Sequence, residues 1–437
     1  MKRLINVFLR LFIKTLIFFY YGILSLKDSI KIKKYNNTIV KKEFSGGNVM
    51  LLALYEKSAL RNDTQLLIKE AKEQGIYVIG VNTLKLKPEN IASNLFDVYI
   101  EKDNYGRDFS SYQTGMKFIF DNKIDERCER LLIINDSVFF SIRGLKEFLY
   151  QLFNSKTEVL GATENSQHSH HLGSFCISVC GDIVRNQRFE EYWKKYKLSN
   201  VRPLVIKRGE FALSKLLKSL VSSEQQFKSL YNISFIEKKL KTDEDFFNNY
   251  YYYRREGERA WYNQTITSLF KNDEVLNSYF RNFVKDEKSK KHEIKMQSII
   301  SSGGSFPTSI YDPENKEEKE DQKIDYLELI RFLTRENIES NKHLKQLKHR
   351  LIALYLDEFT LGSQIHINCL ALHHCGLPII KLDLLFRCVC NISDIIKLRD
   401  QLDESQREEF MTLMTSRLCG DRFLVGLDRL AYQHGIL

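Results

Sequence analysis

The sequence predicts an α/β protein: a Rossmann-like, mostly parallel sheet flanked by helices. Three observations carry that expectation. Short apolar runs recur at residues 49–55, 76–81, 96–100 and 131–134, which suits strands buried on both faces. Helix-period segments separate several of them, and helices between strands imply parallel crossovers. The run 131–134 ends in Asn135-Asp136-Ser137. Open α/β sheets bind ligands outside the carboxyl ends of their strands, so that carboxylate stands where a ligand would.

In chain order, residues 49–55 (VMLLALY) form the first strand. Residues 65–74 form a helix, with Gly75 placed as its C-terminal cap. Residues 76–81 and 96–100 are the next strands. Residues 109–120 space Phe109, Tyr112, Met116, Ile119 and Phe120 at helical intervals before the strand at 131–134. A helix at 144–153 and strands at 159–163 and 175–179 follow. Residues 182–196 read as one helix capped by Asp182. Residues 201–300 read as mainly helical. Within them NNYYYYRRE (248–256) reads as an amphipathic helix with aromatics on one face, with a sugar-stacking platform as the sharper alternative. Residues 301–323, rich in Gly, Ser, Pro and mixed charge, read as a linker. Helix resumes at 323–356, a short strand or extended segment is expected at 377–385, and short helices at 391–437.

The net charge of +10 is uneven. Residues 1–42 hold ten Lys or Arg against one acid, Asp28, so the remainder is nearly neutral. A nucleic-acid-binding protein spreads basic residues over its folded domain, so nucleic acid is not an expected partner. Basic charge beside the apolar stretch 4–26 points instead to an anionic membrane surface. Asn6, Arg10 and Lys14 share one face of that stretch. A charge near the bilayer centre costs roughly 2.5–3.5 kcal/mol. A helix lying in the interface is therefore expected ahead of a spanning one. The eight cysteines are too few for a disulfide scaffold, and the apolar surroundings of Cys176, Cys180, Cys369 and Cys388 predict reduced thiols of a cytosolic protein.

Residues 104–140 organise the chain. Asn104-x-Gly106-Arg107-Asp108, then a helix, then an apolar strand ending in N-D-S resembles the rhamnan synthesis protein F family of bacterial polysaccharide glycosyltransferases, and more broadly the GT-A nucleotide-sugar fold. The string Gly376, Pro378, Lys381, Asp383, Leu384, Arg387 resembles that family's C-terminal motif. The resemblance runs over roughly residues 48–435, broken by the linker. It implies a GT-A-like domain at 43–300 with a helical insertion, preceded by a membrane-anchoring segment at 1–42. The linker (301–323) leads to a helical C-terminal region at 324–437 that completes the site.

Sugar transfer from a nucleotide donor leaves a diphosphate whose charge must be neutralised by a divalent cation or by Lys and Arg. The acceptor hydroxyl needs a base. Asp136 is the candidate for the donor or its metal, and Glu210 the candidate base. First-turn support of a helix is the other reading of Glu210. Gly106 permits close backbone approach. Asp108 is placed to cap the following helix, and Arg107 to pair with a phosphate or carboxylate. By resemblance Asn104, Gly106, Arg107, Asp108, Asn135, Ser137, His171, Lys381 and Arg387 bind the donor. His171 stands in the cluster His168, His170, His171, Gly173, Ser174, where a solvated loop is as good a reading.

Mg²⁺ or Mn²⁺ is the implied cation, at Asp136 and His366. N-D-S carries one carboxylate where GT-A enzymes commonly carry two, which leaves the metal open. Zinc among His366, Cys369, His373, His374, Cys375, Cys388 and Cys390 is a weaker reading, since no C-x-x-C pair occurs there. The function expected is a glycosyltransferase at the cytoplasmic face of the bacterial inner membrane, moving a sugar such as rhamnose onto a lipid-linked glycan. A non-catalytic, membrane-attached partner of a polysaccharide assembly is the alternative.

Overall fold

The computed structural model describes residues 2–31, 36–91, 95–167, 169–257, 265, 274, 278, 281, 282, 285 and 342–437. The expected linker and His168 lie outside the described residues. The chain divides into two compact units, Met1–Ile236 with Phe359–Leu437, and Glu237–Glu358. That division departs from the expected boundaries: the N-terminal segment and the C-terminal region both belong to the unit that holds the sheet.

The first unit opens with helix α1 (Lys2–Lys31) and strand β1 (Asn36–Lys41), then β2 (Gly47–Leu54), α2 (Asn62–Glu73), β3 (Tyr77–Asn82), β4 (Val98–Lys102) and α3 (Arg107–Asp121). β5 (Cys128–Asn135), β6 (Val138–Phe140), α4 (Leu145–Phe153) and β7 (Val159–Gly161) follow. Then come β8 (Glu164–Asn165), β9 (His171–Leu172), β10 (Cys176–Cys180) and, further on, β11 (Phe227–Ser229). Among the described residues the main sheet has eight strands in the order β1-β4-β3-β2-β5-β10-β7-β11. β4, β3, β2 and β5 are mutually parallel; β1, β10 and β7 join antiparallel to their inner neighbours. Six consecutive buried residues in β2 and in β5 fit strands covered on both faces.

The chain runs outward from β2 through β3 to β4, then returns to β5 on the other side of β2. The carboxyl ends of β2 and β5 therefore flank a topological switch point, where such sheets hold ligands. α3 covers this centre with Phe109, Tyr112 and Met116 packed into the same core as Leu51, Ile133 and Trp193.

Several expectations are corrected. Residues 182–196 form two helices, α5 (Gly181–Val184) and α6 (Gln187–Lys195). Asn186 caps the second by accepting from the Arg188 N–H, while Asp182 pairs with Arg185 at 2.7 Å. The strand expected at 377–385 is only β12 (Ile379–Lys381), which pairs antiparallel with β6. Cys388 is disulfide-bonded to Cys419, against the expectation of reduced thiols. The two lie 31 positions apart and meet only because the 386–390 turn packs on Gly420, whose N–H donates to the Phe386 carbonyl. In the second unit the NNYYYYRRE segment is not the single amphipathic helix expected: the α-helix Glu244–Asn249 ends within it and a 3-10 turn, Tyr250–Tyr253, follows. It still supplies core: Tyr250 is buried with its ring 4.5 Å from that of Tyr355, and Arg254 pairs with Glu358 at 2.8 Å.

The segment 1–42 is not a separate appendage. β1 is an edge strand of the sheet. At 100° per residue, Ile17, Tyr21 and Ser25 share one face of α1 with Arg10, Lys14 and Asp28. That face meets the body: Ile17 packs with Val201, Ala431 and Ile436, and Tyr21 donates to Asp428. Phe8, Phe12, Phe19, Ile23 and Leu26 lie opposite, all exposed. By length and composition alone Val7–Lys31 is apolar enough to cross a membrane.

Gly115 of α3 sits against β2, where an added Cβ would come within 2.1 Å of Leu51 Cδ1. Leu51 is fully buried and cannot swing away. Gly115→Val is expected to cost about 1–3 kcal/mol, read as a lower urea midpoint; an unchanged midpoint would contradict this packing.

Candidate functional site

Asp136 follows β5 at the switch point and is 8% exposed. Its N–H donates to the Ala53 carbonyl at 3.1 Å, and its Oδ2 accepts from the Tyr55 N–H at 2.5 Å. The side chain is thus held between the ends of β2 and β5. Arg61 lies near, paired with Glu56 and Asp63, both at 3.1 Å. Burial pushes the Asp136 carboxyl up to about 7, opposed by Arg61 and the Tyr55 N–H and reinforced by Asp108 and Asp63. Burial likewise raises Glu56 to about 8 and Asp63 to about 6, each opposed first by Arg61. Sequence reasoning missed Glu56, Arg61 and Asp63. Their signal was position, since they lie just past β2.

A second arm of the site is a continuous chain of polar contacts. Asn135 Nδ2 donates to Asp108 Oδ2 at 3.0 Å, Ser137 Oγ donates to Asn135 Oδ1 at 2.6 Å, and Lys381 Nζ donates to Ser137 Oγ at 2.8 Å. Lys381 arrives through the pairing of β12 with β6, in which it faces Val138. Its ammonium also lies 4.6 Å from the centre of the Phe175 ring. Burial holds Lys381 below its ordinary value, countered by Asp383, Asp108 and Glu210. Burial raises Asp108, countered by Lys381 and Arg107 and reinforced by Glu210 and Asp383.

Asp108 is not the helix cap. Gly106 takes that position with φ of 90°, and Asp108 lies inside the first turn of α3. A Cβ on Gly106 would come within 2.8 Å of Ser110 Cβ, so both conformation and space call for glycine. The Gly106 N–H donates to Asn200 Oδ1 at 2.8 Å and Arg107 Nε to the Asn200 carbonyl at 2.9 Å. Asn200 in turn donates its N–H to Ser25 Oγ of α1 at 3.0 Å, tying the loop to the N-terminal helix. Asn104 is exposed on this loop.

Glu210 is not a first-turn acid either. It lies in a π-helical turn, Ile206–Phe211, inside a continuous helical run between α7 (Arg202–Val205) and α8 (Ala212–Lys218). Such turns recur at functional sites. Gly209 allows it, because a Cβ there would strike the Phe109 ring at 2.6 Å. Glu210 Oε1 accepts from Ser174 Oγ at 3.1 Å, and His171 Nε2 lies 3.8 Å from its other oxygen. His171 is buried, with Nδ1 against the Ser169 carbonyl at 2.7 Å, so it is no solvated loop residue.

His366 faces Asp383 through Nε2 at 3.0 Å and Ser363 through Nδ1 at 2.8 Å, so both ring nitrogens are engaged. It makes no contact with Asp136 among the described residues. Nor, among those residues, do three or more His, Cys, Asp or Glu side chains gather as a metal-holding group. The residues present do not fit a preformed divalent site spanning Asp136 and His366. Arg387 pairs with Asp383 and, with Arg107 and Arg417, lines a cavity of about 420 Å³. Arg417 is a further residue that sequence reasoning missed.

The raised carboxyls set a pH dependence. A carboxyl whose folded pKa exceeds its unfolded value binds more protons when folded, so its stability contribution falls as pH rises from about 4 through the folded value. Thermal midpoints are expected to drop between pH 5 and pH 8, and to drop less in Glu56→Gln and Asp136→Asn. Midpoints with the same slope in all three proteins would contradict the burial of these groups.

The chain is 25% identical over 217 residues to the uncharacterized protein y4gN of Sinorhizobium fredii, covering 46% of this chain and 56% of that one. It is 35% identical over 96 residues to the virulence protein VirA of Vibrio anguillarum, covering 21% and 30%. The chain thus spans about half the length, or less, of these relatives. The apo-form glycosyltransferase GlyE of Streptococcus pneumoniae aligns over 46% of this chain and 51% of that one at 10% identity, with a TM-score of 0.25, a slight likeness. Residues 76–255, which carry the Gly106-Arg107-Asp108 loop, the end of β5 and Glu210, match the family of rhamnan synthesis protein F.

Proposed function

We propose that this chain is a glycosyltransferase of polysaccharide synthesis, moving a sugar from a nucleoside diphosphate onto a lipid-linked glycan. The observation that carries the reading is the lysine at the switch point. Lys381, brought from the far end of the chain, is hydrogen-bonded to Ser137 beside Asp136. A donor diphosphate seated there meets an ammonium with further N–H groups to donate, held in a partly desolvated site where charge neutralisation is strongest. Asp108 and Asn135 orient Ser137, and Asp136 stands between the strand ends to receive the donor's hydroxyls. Glu210, oriented by Ser174, is the base that takes the acceptor proton. The matched family's description supports a sugar of the rhamnose type. The exposed apolar face and basic charge of α1 support attachment to an anionic membrane.

The test is a calorimetric panel of nucleotide-sugar donors, with and without Mg²⁺ or Mn²⁺, followed by transfer assays. Lys381→Met is expected to weaken donor binding about tenfold or more, the scale of a lost charge-assisted hydrogen bond. Glu210→Gln is expected to retain donor affinity while slowing transfer by roughly 10²–10⁴-fold. Failure of every donor to bind would contradict the reading and favour a non-catalytic assembly partner.

A further inference from the structure

The cavity beside the donor site has a composition that a free nucleotide does not explain. Its lining sets Arg107, Arg387 and Arg417 against one carboxylate, Asp383. That carboxylate is already engaged by Arg387 and His366. Burial holds Arg107 below its ordinary value; Asp108 offsets this, while the neighbouring charges of Arg387 and Arg417 add to it. Guanidiniums that repel one another at a cleft gain from an anion between them, and the forked donor geometry of Arg suits a phosphate. The disulfide between Cys388 and Cys419 ties the turn carrying Arg387 to the segment carrying Arg417.

The rest of the lining is apolar, and part of it faces solvent. Phe423 is 65% exposed and Leu418 45% exposed. Exposure continues from Phe423 to Val425 and Leu427, at the start of the helix Gly426–Gln433 that packs on α1. Leu437 lines the cavity and also packs in the cluster around Ile17 of α1. The arginines thus open onto an apolar surface that adjoins the helix whose outer face is Phe8, Phe12, Phe19, Ile23 and Leu26. Exposed apolar side chains that adjoin one another mark an interaction site, and an apolar face rimmed with basic residues suits an amphiphile at an anionic interface.

We propose that this cavity seats the phosphate or diphosphate of a lipid, with the hydrocarbon lying over Phe423 toward α1. The inference rests on the glycosyltransferase reading only in naming that lipid as the carrier of the acceptor glycan. The cavity then holds the acceptor's anionic head while Lys381 and Ser137 hold the donor. The loop Gly106-Arg107-Asp108 borders both, since Arg107 lines the cavity and Asp108 accepts from Asn135.

The full chain in detergent would be titrated with farnesyl diphosphate, farnesol, inorganic diphosphate and UDP. Farnesyl diphosphate is expected to bind at least tenfold tighter than either farnesol or inorganic diphosphate. Arg417→Gln, at an exposed position, is expected to weaken it tenfold or more while changing UDP affinity less than twofold. Phe423→Ser is expected to shrink the preference over inorganic diphosphate. Equal losses of farnesyl diphosphate and UDP in Arg417→Gln would assign the cavity to the donor and overturn the proposal. So would a preference for farnesyl diphosphate that survives both substitutions. If every donor of the calorimetric panel fails to bind and the lipid pattern holds, the donor reading falls and this site stands.

Discussion

Three residues of β6 and three of β12 form a short antiparallel ladder, and the site depends on it. β6 begins two residues after Asp136, and β12 ends at Lys381. The ladder therefore fixes an ammonium from the C-terminal region beside the end of the central strand. Backbone hydrogen bonds set that register, and a one-residue slip would turn Lys381 to the opposite face. Neighbouring contacts lock it further: the Ser141 N–H donates to the Pro378 carbonyl at 2.8 Å and the Leu382 N–H to the Ser137 carbonyl at 3.2 Å. Gly144 and Gly376 approach so closely that a Cβ on Gly144 would lie 2.8 Å from the Gly376 carbonyl oxygen.

Around that ladder the charges fall into two groups. Asp136, Glu56 and Asp63 gather about Arg61, with more carboxyl than guanidinium, and burial raises all three carboxyls above their ordinary values. Lys381, Arg107, Arg387 and Arg417 gather on the other side about Asp108 and Asp383. Asp383 is held well below the usual carboxylate range by His366, Arg387 and Lys381, which overcome its burial. A donor diphosphate at Lys381 and a lipid phosphate at the three arginines each meet cations already in place, which is the advantage of preorganised charge.

Much of this was legible in the sequence where the signal was local. The parallel strands are continuous apolar runs, and α3 shows its buried face at helical spacing. The string from Asn104 to Asp108 and the string from Gly376 to Arg387 each hold residues that the fold brings to one place. What the sequence could not show depends on tertiary contact. Asp108 looked like a cap because Asp favours that position; the positive φ of Gly106 moves the cap back two residues and frees Asp108 for Asn135. Glu210 looked like the start of a helix because a π turn has no periodic signature. Arg417 matters only through neighbours distant in sequence, and Arg61 through Asp136 as well as its local partners Glu56 and Asp63. Segment 1–42 was read as an anchor from its charge and apolarity; the face that docks on the body carries the same polar stripe that suggested an interfacial helix.

The central claim is that a sugar nucleotide's diphosphate sits against Lys381 and Ser137 at the mouth of the parallel strands. A crystal structure of the full chain with a bound nucleoside diphosphate tests it most directly. The account predicts phosphate oxygens within hydrogen-bonding distance of Lys381 Nζ, with Asp136 facing the same crevice. A diphosphate bound elsewhere, with Lys381 still closed on Ser137, would contradict it.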